Sequence, residues 1–174
     1  RVEQVYRAAE LCRKYGIETY FYIMLGYPGE EWADIQATIK LLSDTHPSEF
    51  SSTVAYPLPG TEFFEQVKDH LVPAADWEHS AENRLLFQRP FSTRFYHWTQ
   101  RLLRKEWQAA RLKHGEWHAN PVQRARLEAS RLTARSAVEV LRRMPGDAEP
   151  SAALTRSRLA AFPGRRPAAP EEGG

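Results

Sequence analysis

The sequence predicts an α/β fold built from parallel βα units, and three observations carry that prediction. Helix-like and strand-like segments alternate up to Leu71; both strand-like segments are rich in aromatic and β-branched residues; and each runs through a Pro/Gly turn into a helix start with acidic residues. Alternation of this kind implies right-handed crossovers and a parallel sheet. A complete barrel of this class uses eight strands in about 250 residues, so two strands are expected to be the end of something larger.

The first segment has Val2, Val5, Ala9 and Cys12 at helical spacing, with Gly16 as its left-handed stop, and predicts a helix over 1–15. Cys12, on that apolar face, is expected to be a buried structural thiol. Thr19 to Leu25 is apolar on both faces and predicts a central strand covered on both sides. Beyond the Gly26 to Gly29 turn, Trp32, Ile35, Ile39 and Leu42 mark a second helix. Glu30, Glu31 and Asp34 lie at its positive end, and it stops near Thr45, before Pro47.

Phe50 to Tyr56 predicts a second strand, and Thr61 a helix N-cap with Glu62 behind it. A long connector follows, expected to fold back against the sheet. Phe95, Trp98, Leu102 and Trp107 predict a helix over 93–114. Pro121 opens another to about Arg143, with Val122, Leu127, Leu132, Val138 and Leu141 as its apolar positions. From Pro145 onward five prolines, four glycines and many alanines predict a disordered tail. The expected divisions are therefore 1–72 for the βα units, 73–118 for connector and helix, 119–144 for an Arg-rich helix and 145–174 for the tail.

Net charge is +2 over 174 residues, but residues 1–120 hold 14 Lys+Arg against 16 Asp+Glu and residues 121–174 hold 10 Arg against 6 acids. The basic excess belongs to the C-terminal part. No run approaches a membrane span and no signal-peptide pattern opens the sequence, so the expected compartment is the cytoplasm, with no membrane partner. One cysteine permits no internal disulfide.

Ligands of parallel α/β folds bind beyond the carboxyl ends of the strands, where helix N-termini face outward. Gly26 and Gly29 would let the backbone approach a ligand closely and Pro28 would fix its path, although any tight βα loop uses such residues. The turn has neither a G-x-G-x-x-G nor a P-loop pattern. "GIETYFYIMLGYPGEEWADIQATIKLL", followed by "PSEFSSTVAYPLPGTEFFEQV", resembles the C-terminal part of radical S-adenosylmethionine enzymes, especially the group with a cobalamin-binding domain. The resemblance rests on M-L-G-x-P-G-E with D-I-x-x-T-I (Met24 to Glu30, Asp34 to Ile39) and on P-x-P-G-T (Pro57 to Thr61). It reaches to about residue 115.

The resemblance implies a partial TIM-type barrel whose last two βα units are present here, followed by an α-helical extension. It implies S-adenosylmethionine and a [4Fe-4S] cluster as cofactors, with cobalamin in that subgroup. The cluster reduces the sulfonium and a 5′-deoxyadenosyl radical abstracts hydrogen from substrate; the protein supplies position and exclusion of water. By the same resemblance Met24, Leu25 and Gly26 pass the nucleoside, and Tyr56 and Pro57 face the methionine or substrate side. Glu30 either caps loop amides or reaches a hydroxyl. The family's C-x-x-x-C-x-x-C loop does not occur here, and Cys12 alone cannot hold a four-iron cluster. The chain, opening on Arg1 in mid-pattern, is therefore expected to be a fragment whose N-terminal part holds the cluster and is its principal partner.

Two rival classes stand beside this one: a non-catalytic remnant or accessory interaction module, and an Arg-rich nucleic-acid binder. Interleaved acids and the lack of a recognition motif count against the last. His114 and His118 have a spacing that can share a metal on a helix, but Gly115 and the displaced Glu116 favour an ordinary exposed helix end. Phe87, Phe91, Phe95, Tyr96 and Trp98 either line a substrate channel or, the favoured reading, cover the open side of the barrel.

Overall fold

The computed structural model describes residues 2–73, 85–87 and 89–144. In chain order these form α1 (Val2–Lys14), β1 (Tyr20–Leu25), α2 (Trp32–Thr45), β2 (Glu49–Val54), α3 (Glu62–Val67), β3 (Leu71–Pro73), β4 (Leu85–Phe87), α4 (Thr93–Lys113) and α5 (Pro121–Leu141). The architecture is mixed α/β, mostly helical, around a two-stranded parallel sheet. The expected tail over 145–174 lies outside the described residues, as do 74–84 of the connector; β3 and β4 pair antiparallel, a pairing the composition did not announce.

Helix ends follow local chemistry. The α1 helix ends on Gly16 at φ 68°, and the Ile17 amide reaches back to the Cys12 carbonyl at 2.8 Å. The Asp34 carboxylate accepts from the Glu31 amide at 2.8 Å, tying down the first turn of α2. Ser92 and Asn120 accept from the amides of Phe95 and Gln123 to open α4 and α5, and Pro121 stands where its missing N–H costs nothing.

β1 and β2 pair in parallel register from Tyr20 opposite Glu49 to Leu25 opposite Val54. Phe21, Ile23 and Leu25 meet Phe50, Ile35, Leu42, Phe95, Leu102 and Leu103 in one core, to which α5 adds Ala134, Val138 and Leu141. A smaller cluster of Ala55, Val67 and Leu71 lies under Phe63 and Phe64. The expectation that β1 is covered on both faces is corrected here. The opposite face carries Tyr20, Tyr22 and Met24 in the open, with Tyr22 84% exposed, because the core helices gather on the Leu25 side and no further strand pairs with β1 among the described residues.

Several helix-face assignments are also revised. In α1 only Ala9 is buried; Val2 is exposed and Val5 and Cys12 are half-buried, because α1 makes only a narrow contact with α2. The Cys12 thiol is thus not the fully buried one expected. In α5 Val122 and Leu132 point outward, and the buried row is Leu127, Ala134, Val138 and Leu141.

β2 has a second feature that fixes its position in the sheet. The Glu49 and Ala55 amides donate to the Thr19 and Leu25 carbonyls, so alternation turns the carbonyls of Ser48 and Ser52 toward the opposite edge. There α4 meets them: Gln100 Nε2 donates to Ser52 O at 2.9 Å, Arg111 Nη1 to Ser48 O at 3.0 Å and Trp107 Nε1 to Pro47 O at 2.8 Å.

Candidate functional site

Both strands end in the same device. After β1, the Glu30 amide donates to the Tyr27 carbonyl at 3.0 Å across Pro28 and Gly29, with Gly29 at φ 80°. After β2, the Thr61 amide donates to the Leu58 carbonyl at 3.2 Å across Pro59 and Gly60, with Gly60 at φ 88°. Proline at the second position and positive φ at the third are what a type II turn requires. Thr61 then caps α3, its hydroxyl accepting from Phe64 N at 3.1 Å and donating to Leu58 O at 2.7 Å. The first turn touches α3, the helix that follows the second: Tyr27 stacks on Phe63 with ring centroids 5.0 Å apart.

Glu30 folds back on its own turn, with Oε2 accepting from the Gly26 amide at 2.9 Å. Burial pushes its carboxyl above the usual carboxylate range, while the Gly26 hydrogen bond and the nearby Tyr96 hydroxyl pull the other way. Tyr96 is fully buried, and burial followed by the Glu30 charge raises its phenol. Its hydroxyl lies beside Glu30 without an aligned hydrogen-bond partner. A methyl on Gly26 would stand 3.2 Å from Val54 Cγ1, 3.3 Å from Tyr96 Cζ and 3.4 Å from Arg89 Cδ. Close packing by this chain's own α4 and Arg89 is therefore what a small residue at 26 permits.

Of the residues singled out in the sequence, Met24 lies on the open face, 56% exposed; Leu25 and Gly26 are buried; Glu30 and Tyr56 are half-buried; and Pro57 is buried beyond the end of β2. Leu25 and Gly26 could offer a ligand only backbone, and the Gly26 amide is already engaged. The aromatic group divides likewise. Phe95 and Tyr96 are core, Phe91 stacks on Phe95 at 4.2 Å, Trp98 is half-buried, and the Phe87 side chain lies outside the described set.

What the geometry brings together on the open face is Tyr20, Tyr22 and Met24 beside Glu49, Ser51 and Thr53 of β2, with the Tyr20 and Tyr22 rings 4.7 Å apart. An aromatic and thioether floor with hydroxyls along one side suits a flat or apolar ligand. It does not suit an iron–sulfur cluster. The sequence has one thiol, on α1, and no grouping of three or more His, Cys, Asp or Glu side chains among the described residues could hold a metal.

One cluster was not legible beforehand. His46 ends α2 at φ 31°, its side chain buried, with Nδ1 2.7 Å from Glu116 Oε1 and its ring stacked on His114 at 4.1 Å. His114 therefore pairs with His46 and not with His118. Burial, with Arg13 and His114 adding to it against Glu116, holds the His46 imidazole below its ordinary value. The His-Pro pair after an apolar helix was the available signal. No helix among the described residues is long and apolar enough to cross a membrane. No family model matches this sequence, and comparison with curated proteins yields no match.

Proposed function

We propose that the chain supplies the last two βα units of a radical S-adenosylmethionine enzyme, with the open face of β1 and β2 turned toward the reaction chamber. The one-sidedness of the sheet carries the reading: an aromatic strand, apolar on both faces, leaves Tyr20, Tyr22 and Met24 uncovered just before a loop that leads into a helix. In a monomeric globule that row is unfavourable; as one wall of a barrel it is interior.

When bound, S-adenosylmethionine supplies the sulfonium whose reductive cleavage begins the radical chemistry. The residues fit its apolar and aromatic parts: Tyr22 and Met24 offer contact surface, and Tyr56 stands at the end of the neighbouring strand. Glu30 fixes the turn by holding the Gly26 amide, and the paired type II turns keep the rim closed. The iron–sulfur cluster does not fit this chain, so its thiolates belong to an N-terminal segment of the same protein, the proposed partner. Cobalamin is assigned no residue here.

The test is the coding DNA immediately upstream of the Arg1 codon. An in-frame C-x-x-x-C-x-x-C supports the proposal; a stop codon with a nearby start overturns it. In the complete protein, Tyr22→Ala and Met24→Ala, both at exposed side chains, should weaken S-adenosylhomocysteine binding about tenfold each. Unchanged binding in both would remove the open face from the site.

A further inference from the structure

Two sets of cations stand out on and just beyond α4 and α5. Arg111, Arg131, Arg135, Arg142 and Arg143 each meet a carboxylate, on Glu116, Glu106, Glu128 or Glu139. Arg101, Arg104 and Lys105 meet none among the described residues. The Arg101 guanidinium lies over the Trp98 ring at 5.0 Å, that of Arg104 over the Phe50 ring at 5.9 Å, and Lys105 Nζ donates to the amide oxygen of Gln108 at 3.0 Å.

These three cations line one cleft of about 640 Å³, walled by α4 on one side and α5 on the other and floored at Ser52 of β2. The α5 wall is made of short side chains, with the hydroxyls of Ser130 and Thr133 among them, and no carboxylate is found among the described lining residues. His97 stands at the same wall as the cations. The nearest acid along α4, Glu106, is turned to the other side, where Arg131 and Arg135 hold it at 2.9 and 2.7 Å. Around Glu106, between the two helices, charge is matched; here three positive groups converge on a polar hollow with no carboxylate among its described lining residues.

We propose that this cleft binds a small phosphorylated molecule, its phosphate held by Arg101, Arg104 and Lys105 with the Ser130 hydroxyl as a further donor; the Thr133 hydroxyl, which donates to the Ala129 carbonyl at 2.9 Å, shapes the wall. Arginine suits the role because its planar fork can take two phosphate oxygens at once, and stacking on Trp98 and Phe50 limits the orientations each guanidinium must give up. A concave site between two helices fits a compact anion better than an extended backbone, which a continuous basic stripe would track. The cleft is separate from the open face of the sheet, so the proposal stands or falls independently of the radical-enzyme reading.

The test is calorimetric titration of the full chain with inorganic pyrophosphate at about 50 mM salt, where phosphate contacts are little screened. One-site binding is expected, weakened about tenfold or more by Arg101→Gln with Arg104→Gln, and by less than about twofold by Arg142→Gln with Arg143→Gln, whose charges are already matched. Thr133→Glu, at an exposed position, places an acid in the wall and should give the same loss even if the double arginine variant folds poorly. Absent binding, or affinity unchanged in both Arg101/Arg104 and Thr133 variants, overturns the proposal. So does tighter binding of a short DNA duplex through the same residues, which would make the site a nucleic-acid contact.

Discussion

Replacing Gly26 and Gly29 separately by alanine isolates what the turn is for. Both glycines lie at positive φ, 76° and 80°, so both variants incur the left-handed penalty of about 1–2 kcal/mol, offset by roughly 0.4–1 kcal/mol from a less flexible unfolded chain. The surroundings differ. A methyl at 29 meets nothing within 4 Å, whereas one at 26 meets Val54, Tyr96 and Arg89 between 3.2 and 3.4 Å. Overpacking of that kind typically costs about 1–3 kcal/mol. Gly29→Ala should therefore destabilise by about 1 kcal/mol and Gly26→Ala by about 2–4 kcal/mol. Urea unfolding followed by tryptophan fluorescence reads the difference as a shift in midpoint at constant slope. Equal midpoints would refute the close approach of Tyr96 and Val54, and with it the account of Gly26 as a packing residue.

Two further outcomes test the charged and titrating groups. Glu106 is 6% exposed and holds two arginines; burial raises its carboxyl, but the hydrogen bonds from Arg135 and Arg131 outweigh it and leave it below the usual range. Glu106→Gln should cost about 2–3 kcal/mol by urea unfolding, less than a fully buried pair because Arg135 is half in water, whereas Glu139→Gln on the outer face should leave the urea midpoint nearly unchanged. Its folded value being depressed, the Glu106 contribution is present above the unfolded carboxylate range and lost as pH falls through the folded value. The folded His46 value also lies below the unfolded 6.5, so its contribution is full above pH 6.5 and lost as pH falls through the folded value. Melting temperature should drop across that window, and His46→Asn, which tolerates positive φ, should flatten the drop; an equal drop in the variant would clear His46 of the effect.

Much of the fold was readable because the signals were local. Ser92, Asn120 and Thr61 act through the amides just beyond them, and Gly16 and Gly29 through their own φ, so helix ends and turns follow from a few adjacent residues. What could not be read were facts about distant neighbours. Tyr20 and Tyr22 alternate with Phe21 and Ile23 as equally apolar residues, and only the placing of α2 and α4 decides which row is covered. Leu132 and Leu127 look alike in composition, yet only Leu127 lies on the side of α5 that meets the core. At the candidate site, Glu30 as a clamp on Gly26 was one of two roles open to it, and the two residues lie 66 and 70 positions from Tyr96, beyond any motif. The His46 and His114 stack is long-range for the same reason.

The three α4 donors along β2 also decide how copies of this sheet can meet. With the Ser48 and Ser52 carbonyls already bonded to Arg111 and Gln100, that border of the β1–β2 sheet is occupied, and among the described residues its far border, along β1, is the one left open. In the proposed enzyme the upstream strands of the barrel take that border; two copies of this segment alone, joining there, would use up the open edge of each β1–β2 sheet and close as a two-fold dimer instead of continuing into a filament. The helix thus acts as a chain terminator for strand addition, leaving the sheet a single direction in which to grow.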